Sequence, residues 1–104
     1  MDAQEVIRQQ VTENQVVLYM KGTPQFPQCG FSSNAARILK ASGVDKFLAV
    51  NMLQNLDIME GMKTYANWPT IPLLFINGEF IGGSDIMTEM FQSGELQTLL
   101  GKKD

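Results

Sequence analysis

The chain holds one cysteine and no histidine, so any thiol chemistry falls on Cys29. It sits in KGTPQFPQCGFS (residues 21–32), among prolines and glycines, after an apolar run and before a helical pattern. A cysteine at the turn into a helix faces N–H groups that lack internal partners and carry the positive end of the helix dipole. The thiolate is favoured there, and a nearby lysine such as Lys21 adds to the effect. The competing reading is a buried structural cysteine, since free cysteine packs as a small hydrophobe. Cys29 is flanked by Pro27, Gln28 and Gly30 rather than by apolar periodicity, which favours a reactive, accessible thiol.

Two further stretches can do chemistry. In Trp68-Pro69-Thr70-Ile71-Pro72, Pro72 cannot donate to a sheet ladder and must stand at a strand start or an edge. The local sequence alone gives no reason to choose a cis Ile71–Pro72 bond, because only about 5–6 % of X–Pro bonds are cis. Gly82-Gly83-Ser84-Asp85 lets backbone approach a ligand where a helix begins, and helix N-termini hold carboxylates and phosphates. Asp85 can cap that helix or hold a ligand ammonium. On the two glycines alone, a plain turn with an N-cap and no ligand is the favoured reading. The seven methionines read as core and gap fillers, with no spacing that suggests a metal site.

The elements that must position these residues follow from periodicity. DAQEVIRQQVTEN spaces Val6, Ile7 and Val11 as a helix, and VVLYM then reads as a short buried strand. From Gly30, the residues Phe31, Ala35, Ile38 and Leu39 recur at helical spacing, with Gly43 as the stop. FLAVNM predicts a second strand and LDIMEGMKTYA a helix. TIPLLFI and EFIGG predict two strands joined by Asn77-Gly78, a strong hairpin signal. Ser84-Asp85 is expected to cap DIMTEMFQ, and ELQTLLG adds a last turn or two. The order α-β-α-β-α-β-β-α-α predicts a parallel crossover followed by an antiparallel hairpin. An α/β arrangement, a four-stranded mixed sheet with helices on both faces, satisfies both.

At 104 residues the chain suits one domain over residues 1–104, and its apolar fraction of 44 % supports a packed core. A net charge of −3 without a basic cluster argues against nucleic acid as a partner. The apolar runs are too short to cross a bilayer, and the N-terminus lacks the pattern of a signal peptide. A lone cysteine excludes an intrachain disulfide framework and fits a reducing compartment. The expectation is cytoplasmic, with a mitochondrial matrix protein after removal of a transit peptide as the alternative.

KGTPQFPQCGFS, YANWPTIP, FINGEFIGGSDI and EMFQSGEL, in this order over nearly the whole chain, resemble the monothiol glutaredoxins of the CGFS class. That resemblance implies a thioredoxin-like (glutaredoxin) fold and a cis Pro72 facing Cys29. It implies that the backbone at Ile71 pairs with the cysteinyl part of glutathione as an added strand. The γ-glutamyl carboxylate would meet the N–H groups of Ser84 and Asp85 beside Gly83, and the Asp85 side chain would take the amine. Lys21 would face the glycine carboxylate or the thiolate, and Phe31 would border the site.

The family's chief activity is to hold a [2Fe–2S] cluster between two subunits, with glutathione completing the ligand set. Independently of the family, such a cluster takes four ligands, usually thiolates. One chain with one cysteine and no histidine supplies only one, so two chains and two glutathiones make four. BolA-like proteins and iron–sulfur apoproteins are the partners that the resemblance suggests. Two departures from the family stand out. Ser84 occupies a position where many members carry a second cysteine, and Met59 one where many carry an arginine for the glycine carboxylate. Lys63, one helical turn on, is the candidate substitute. The rival expectation is a glutathione-dependent oxidoreductase, at most a weak enzyme, that reduces mixed disulfides through Cys29 alone. A third is a redox-inert adaptor that docks through the same surface.

Overall fold

Asp2 opens the first helix: its carboxylate accepts the Glu5 N–H at 2.9 Å, which satisfies one of the unpaired donors of the first turn. This helix, α1 (Ala3–Glu13), buries Ile7 and Val11. The computed structural model describes residues 2–68 and 70–101. After α1 come β1 (Val16–Met20), α2 (Gly30–Ala41), β2 (Leu48–Asn51), a 3₁₀ turn (Met52–Gln54) and α3 (Leu56–Tyr65). The hairpin β3 (Leu73–Ile76) and β4 (Glu79–Gly82) follows, and α4 (Ser84–Ser93) and α5 (Glu95–Leu99) complete the order.

The strands form one sheet in the order β2-β1-β3-β4. β1 pairs parallel with β2 and antiparallel with β3, and β3 pairs antiparallel with β4. β1 is apolar throughout because both of its faces are covered. Val16, Leu18 and Met20 enter a core with Ala35, Leu39, Met87 and Leu96, contributed by α2, α4 and α5. Val17 and Tyr19 enter a second core with Ile7, Val11, Ile58 and Met62, contributed by α1 and α3. β3 divides in the same way, with Leu74 and Ile76 on one side and Leu73 and Phe75 on the other.

At the centre of the second core, Phe75 meets Tyr19 edge-on at 5.7 Å and Phe80 at 5.4 Å. Such pairs are worth about 0.5–1.5 kcal/mol beyond the area they bury. The Tyr19 hydroxyl donates to Gln10 Oε1 at 2.8 Å. Burial, with Tyr65 nearby, pushes its phenol far above the ordinary value.

The predicted order of elements holds, and the differences lie at element ends. The strand expected over TIPLLFI begins only at Leu73, because Pro72 brings no N–H; the Ile71–Pro72 bond is cis. The strand expected over FLAVNM is confined to Leu48–Asn51. Asn51 Oδ1 accepts the Leu53 N–H at 3.0 Å and turns the chain into the 3₁₀ turn. Neither Ser84 nor Asp85 caps α4. Gly83 is its N-cap residue, with no side-chain cap bond. The Asn77-Gly78 turn has φ of 53° and 81°, as a two-residue hairpin turn of type I′ requires.

Candidate functional site

The C-terminal ends of β1, β2 and β4 and the N-terminal end of β3 share one edge of the sheet, given the pairing directions. Ligands of open α/β sheets bind in crevices at such an edge. The segment leaving β1 folds back on itself. Thr23 and Phe26 exchange N–H···O bonds at 3.1 and 3.3 Å, and the Gln28 N–H donates to Lys21 O at 2.9 Å. Gly22 permits this reversal. Its φ is +88°, and a Cβ there would lie 2.5 Å from Phe26 O. Two side chains pin the loop from below: Ser32 Oγ accepts the Lys21 N–H and Asn51 Oδ1 accepts the Gly22 N–H, both at 3.0 Å.

The loop delivers Cys29 to the N-cap position of α2, with extended backbone. Its thiol is partly exposed and makes no cap hydrogen bond in the resting geometry. Its surroundings nevertheless favour the thiolate. The Ser32 N–H is the largest cause, followed by the Phe31 N–H, the Lys21 charge and the Ser32 hydroxyl, against an opposing effect of burial. Together they hold the thiol below its ordinary value. Ser32 is fully buried. Because its Oγ accepts from Lys21 N, its own proton is free to donate to sulfur.

A cavity of about 620 Å³ opens beside Cys29, within the range of small-molecule sites. Lys21, Phe31 and Lys63 line it together with Cys29, and so do Ile71, Pro72, Gly83, Ser84 and Asp85. Cys29 and the residues that the resemblance assigned to glutathione therefore all line one cavity; Gly82 does not, and Pro69 lies outside the described residues. At Gly83 the chain runs close against the segment ending at Pro72: a Cβ there would lie 3.2 Å from Pro72 O and 3.5 Å from Trp68 Nε1. A glycine is what allows the start of α4 to sit against the cis-proline segment. Asp85, exposed, presents a carboxylate at the opening turn of α4.

Opposite, the wall formed by α3 is apolar where Met59 and Met62 line it, and Lys63 brings positive charge to that side. Lys63 Nζ pairs with Glu60 Oε2 at 3.2 Å, both side chains well exposed. Surface pairs of this kind contribute about 0–1 kcal/mol, so an incoming carboxylate can take the lysine over. Exposed Phe31 stands at the cavity mouth, and Phe26, in the loop, is also exposed.

Several residues of the site escaped the sequence reading. Met52, Trp68, Thr70 and Ile86 also line the cavity. Ser32 and Asn51 anchor the loop, and Asn34 ties α2 to α4 through Ser84 and Thr88. A polar residue that works through a partner 50 positions away leaves no periodic mark. Trp68 begins the proline-marked segment that ends at Pro72, so a signal lay in its neighbourhood. Its Nε1 is buried with no partner among the described residues.

Comparison with known proteins agrees with this geometry. The family model described as Glutaredoxin matches residues 16–81. The chain is 52 % identical over 94 residues to a monothiol glutaredoxin ycf64-like protein of Synechocystis sp., covering 90 % of this chain and 87 % of that one. It is 51 % identical over 96 residues to glutaredoxin 4 of Escherichia coli, covering 92 % and 83 %. The solution structure of reduced poplar apo GrxS14 aligns with a TM-score of 0.81 at 47 % identity, over 93 % of this chain and 88 % of that one. A lone half-exposed thiol at a helix start, a cis proline facing the same cavity and this likeness lead to one conclusion: the chain belongs to the glutaredoxin family, among its monothiol members.

Proposed function

We propose that the protein binds glutathione in the cavity beside Cys29 and carries a [2Fe–2S] cluster shared between two subunits. The observation that carries this reading is a single thiol, favoured as thiolate, in a cavity open enough for a tripeptide and ringed by polar groups at both ends. The segment entering β3 offers backbone at Ile71 for the cysteinyl part of the ligand. The N–H groups of Ser84 and Asp85 at the start of α4 suit a carboxylate, the Asp85 carboxylate suits the neighbouring amine, and Lys21 and Lys63 suit the glycine carboxylate.

Cluster ligation then follows from number. The chain has one cysteine and no histidine, and a [2Fe–2S] cluster takes four ligands. Cys29 and its counterpart in a second copy supply two, and two glutathione thiolates supply the others. Two of the four ligands are thus not tied to protein, which suits a carrier that must release its cargo. Iron–sulfur apoproteins are the receiving partners this reading implies, and BolA-like proteins are candidates for a mixed complex. A compartment that keeps glutathione reduced, such as the cytoplasm, fits the free thiol; among the described residues no helix is long and apolar enough to cross a membrane.

A second reading rests on the same lowered thiol. The Cys29 thiolate attacks the glutathione sulfur of a mixed disulfide and expels the protein thiolate. A second glutathione thiolate then attacks the Cys29–glutathione disulfide, releasing oxidised glutathione and the Cys29 thiolate. Anaerobic reconstitution with iron and sulfide separates the two. Cluster absorbance that needs both glutathione and Cys29, and vanishes in Cys29→Ser, supports the carrier. A Cys29→Ser protein that assembles the same cluster overturns it, and fast mixed-disulfide turnover without any cluster favours the oxidoreductase.

A further inference from the structure

On the side of the cavity formed by α4, a row of hydrogen bonds runs from one helix to another. Asn34 on α2 donates from Nδ2 to Ser84 Oγ at 3.0 Å and to Thr88 Oγ1 at 3.1 Å. Its Oδ1 accepts from the Arg37 guanidinium, one turn on. That last bond fixes the amide: arginine has donors only, so the carbonyl oxygen must face it and the NH₂ must face the two hydroxyls. Thr88 passes its own proton to Ser84 O at 2.9 Å.

Ser84 is left in a defined state. Its Oγ is occupied as an acceptor, so its proton is the part left to donate. Among the described residues the hydroxyl donates no hydrogen bond. Ser84 is 8 % exposed, and the surface it keeps lines the cavity. The proton is thus free to turn toward the cavity and donate to a ligand there. A charged donor at the head of the row polarises each bond after it, so the last donor is stronger than a lone serine.

We propose that Asn34 is a positioning residue for glutathione: with Arg37 behind it, it commits the Ser84 hydroxyl to donate to the α-carboxylate of the γ-glutamyl group. This rests on the reading that the cavity takes glutathione. It adds a side-chain donor beside the N–H groups of Ser84 and Asp85, and it couples α2, which carries Cys29, to α4, which holds the far end of the ligand.

The test measures binding of reduced glutathione by calorimetry and by the fluorescence of Trp68, the only tryptophan in the chain. The comparison ligand is 4-aminobutyryl-cysteinylglycine, which lacks the α-carboxylate. Asn34→Leu and Ser84→Ala are each expected to weaken glutathione binding roughly tenfold, the range of one hydrogen bond to a charged group. Neither should change binding of the comparison ligand. The double variant should lose no more than Ser84→Ala alone, since Asn34 acts through Ser84. Asn34→Asp, which keeps the shape but accepts the Ser84 proton, should lose at least as much as Asn34→Leu. Thermal melts check that each variant folds; if Asn34→Leu does not, Asn34→Asp and Ser84→Ala carry the same comparison. Equal losses for the two ligands, multiplying losses in the double variant, or unchanged binding in the Asn34 variants would overturn the inference alone. A wild-type protein that binds neither ligand overturns the glutathione reading and the inference with it.

Discussion

Cys29 draws its acidity mainly from the main chain. The Ser32 N–H is the first cause, while the Lys21 charge and the Ser32 hydroxyl contribute less. Lys21→Gln and Ser32→Ala are therefore each expected to keep most of the depression, read from the pH dependence of alkylation by iodoacetamide. The contribution of Lys21 should fade at high salt, where exposed charges are screened. A Lys21→Gln protein whose thiol titrates like a free one would contradict this. Ser32→Ala carries a separate cost of about 1–3 kcal/mol, because the Lys21 N–H loses its acceptor. The lowered thiol also links pH to folding. Between the lowered folded value and the unfolded one, the unfolded chain binds more protons, so stability rises with pH across that window. The gain is lost as pH falls through the folded value. Cys29→Ser should flatten this slope in urea titrations run at several pH values.

At the scale of elements, α1 and α3 pack closely over the second core, and Gly61 marks the contact. A Cβ at Gly61 would lie 2.7 Å from Ala3 Cβ, an atom fixed to backbone that cannot swing aside. Gly61→Ala gains up to about 1 kcal/mol of helix propensity but suffers overpacking of about 1–3 kcal/mol. Net destabilisation is expected in denaturant titrations, and a stabilised variant would show that the helices part freely. Which elements form was legible in the sequence wherever a period or a turn residue declared them: the helix after Cys29, the buried VVLYM strand and the Asn77-Gly78 hairpin. Where they end was less so. Asn51 stops β2 with its side chain and Pro72 delays β3, and both effects depend on geometry that no window of hydropathy contains. The candidate site was legible through motif resemblance, from Lys21 to Asp85. Its supports were not: Ser32, Asn51 and Asn34 each work through a partner chosen by the fold. Ser84 read as a cap, but in the fold its hydroxyl answers to Asn34 across the α2–α4 contact.

Across the whole molecule, chain reversals around the sheet bring the α2 start, the Ile71–Pro72 segment and the α4 start to one edge, around a single thiol. Phe26 and Phe31 stand 75 % and 63 % exposed at that end, leaving apolar surface around the site where a second copy would approach. One copy can offer a cluster only one thiolate of its own. Cluster binding is therefore a matter of stoichiometry, which native mass spectrometry of anaerobically reconstituted protein reads. The expected species is two chains, one [2Fe–2S] cluster and two glutathiones, collapsing to single chains when glutathione is removed. A cluster held by one chain, or by two chains without glutathione, would contradict it.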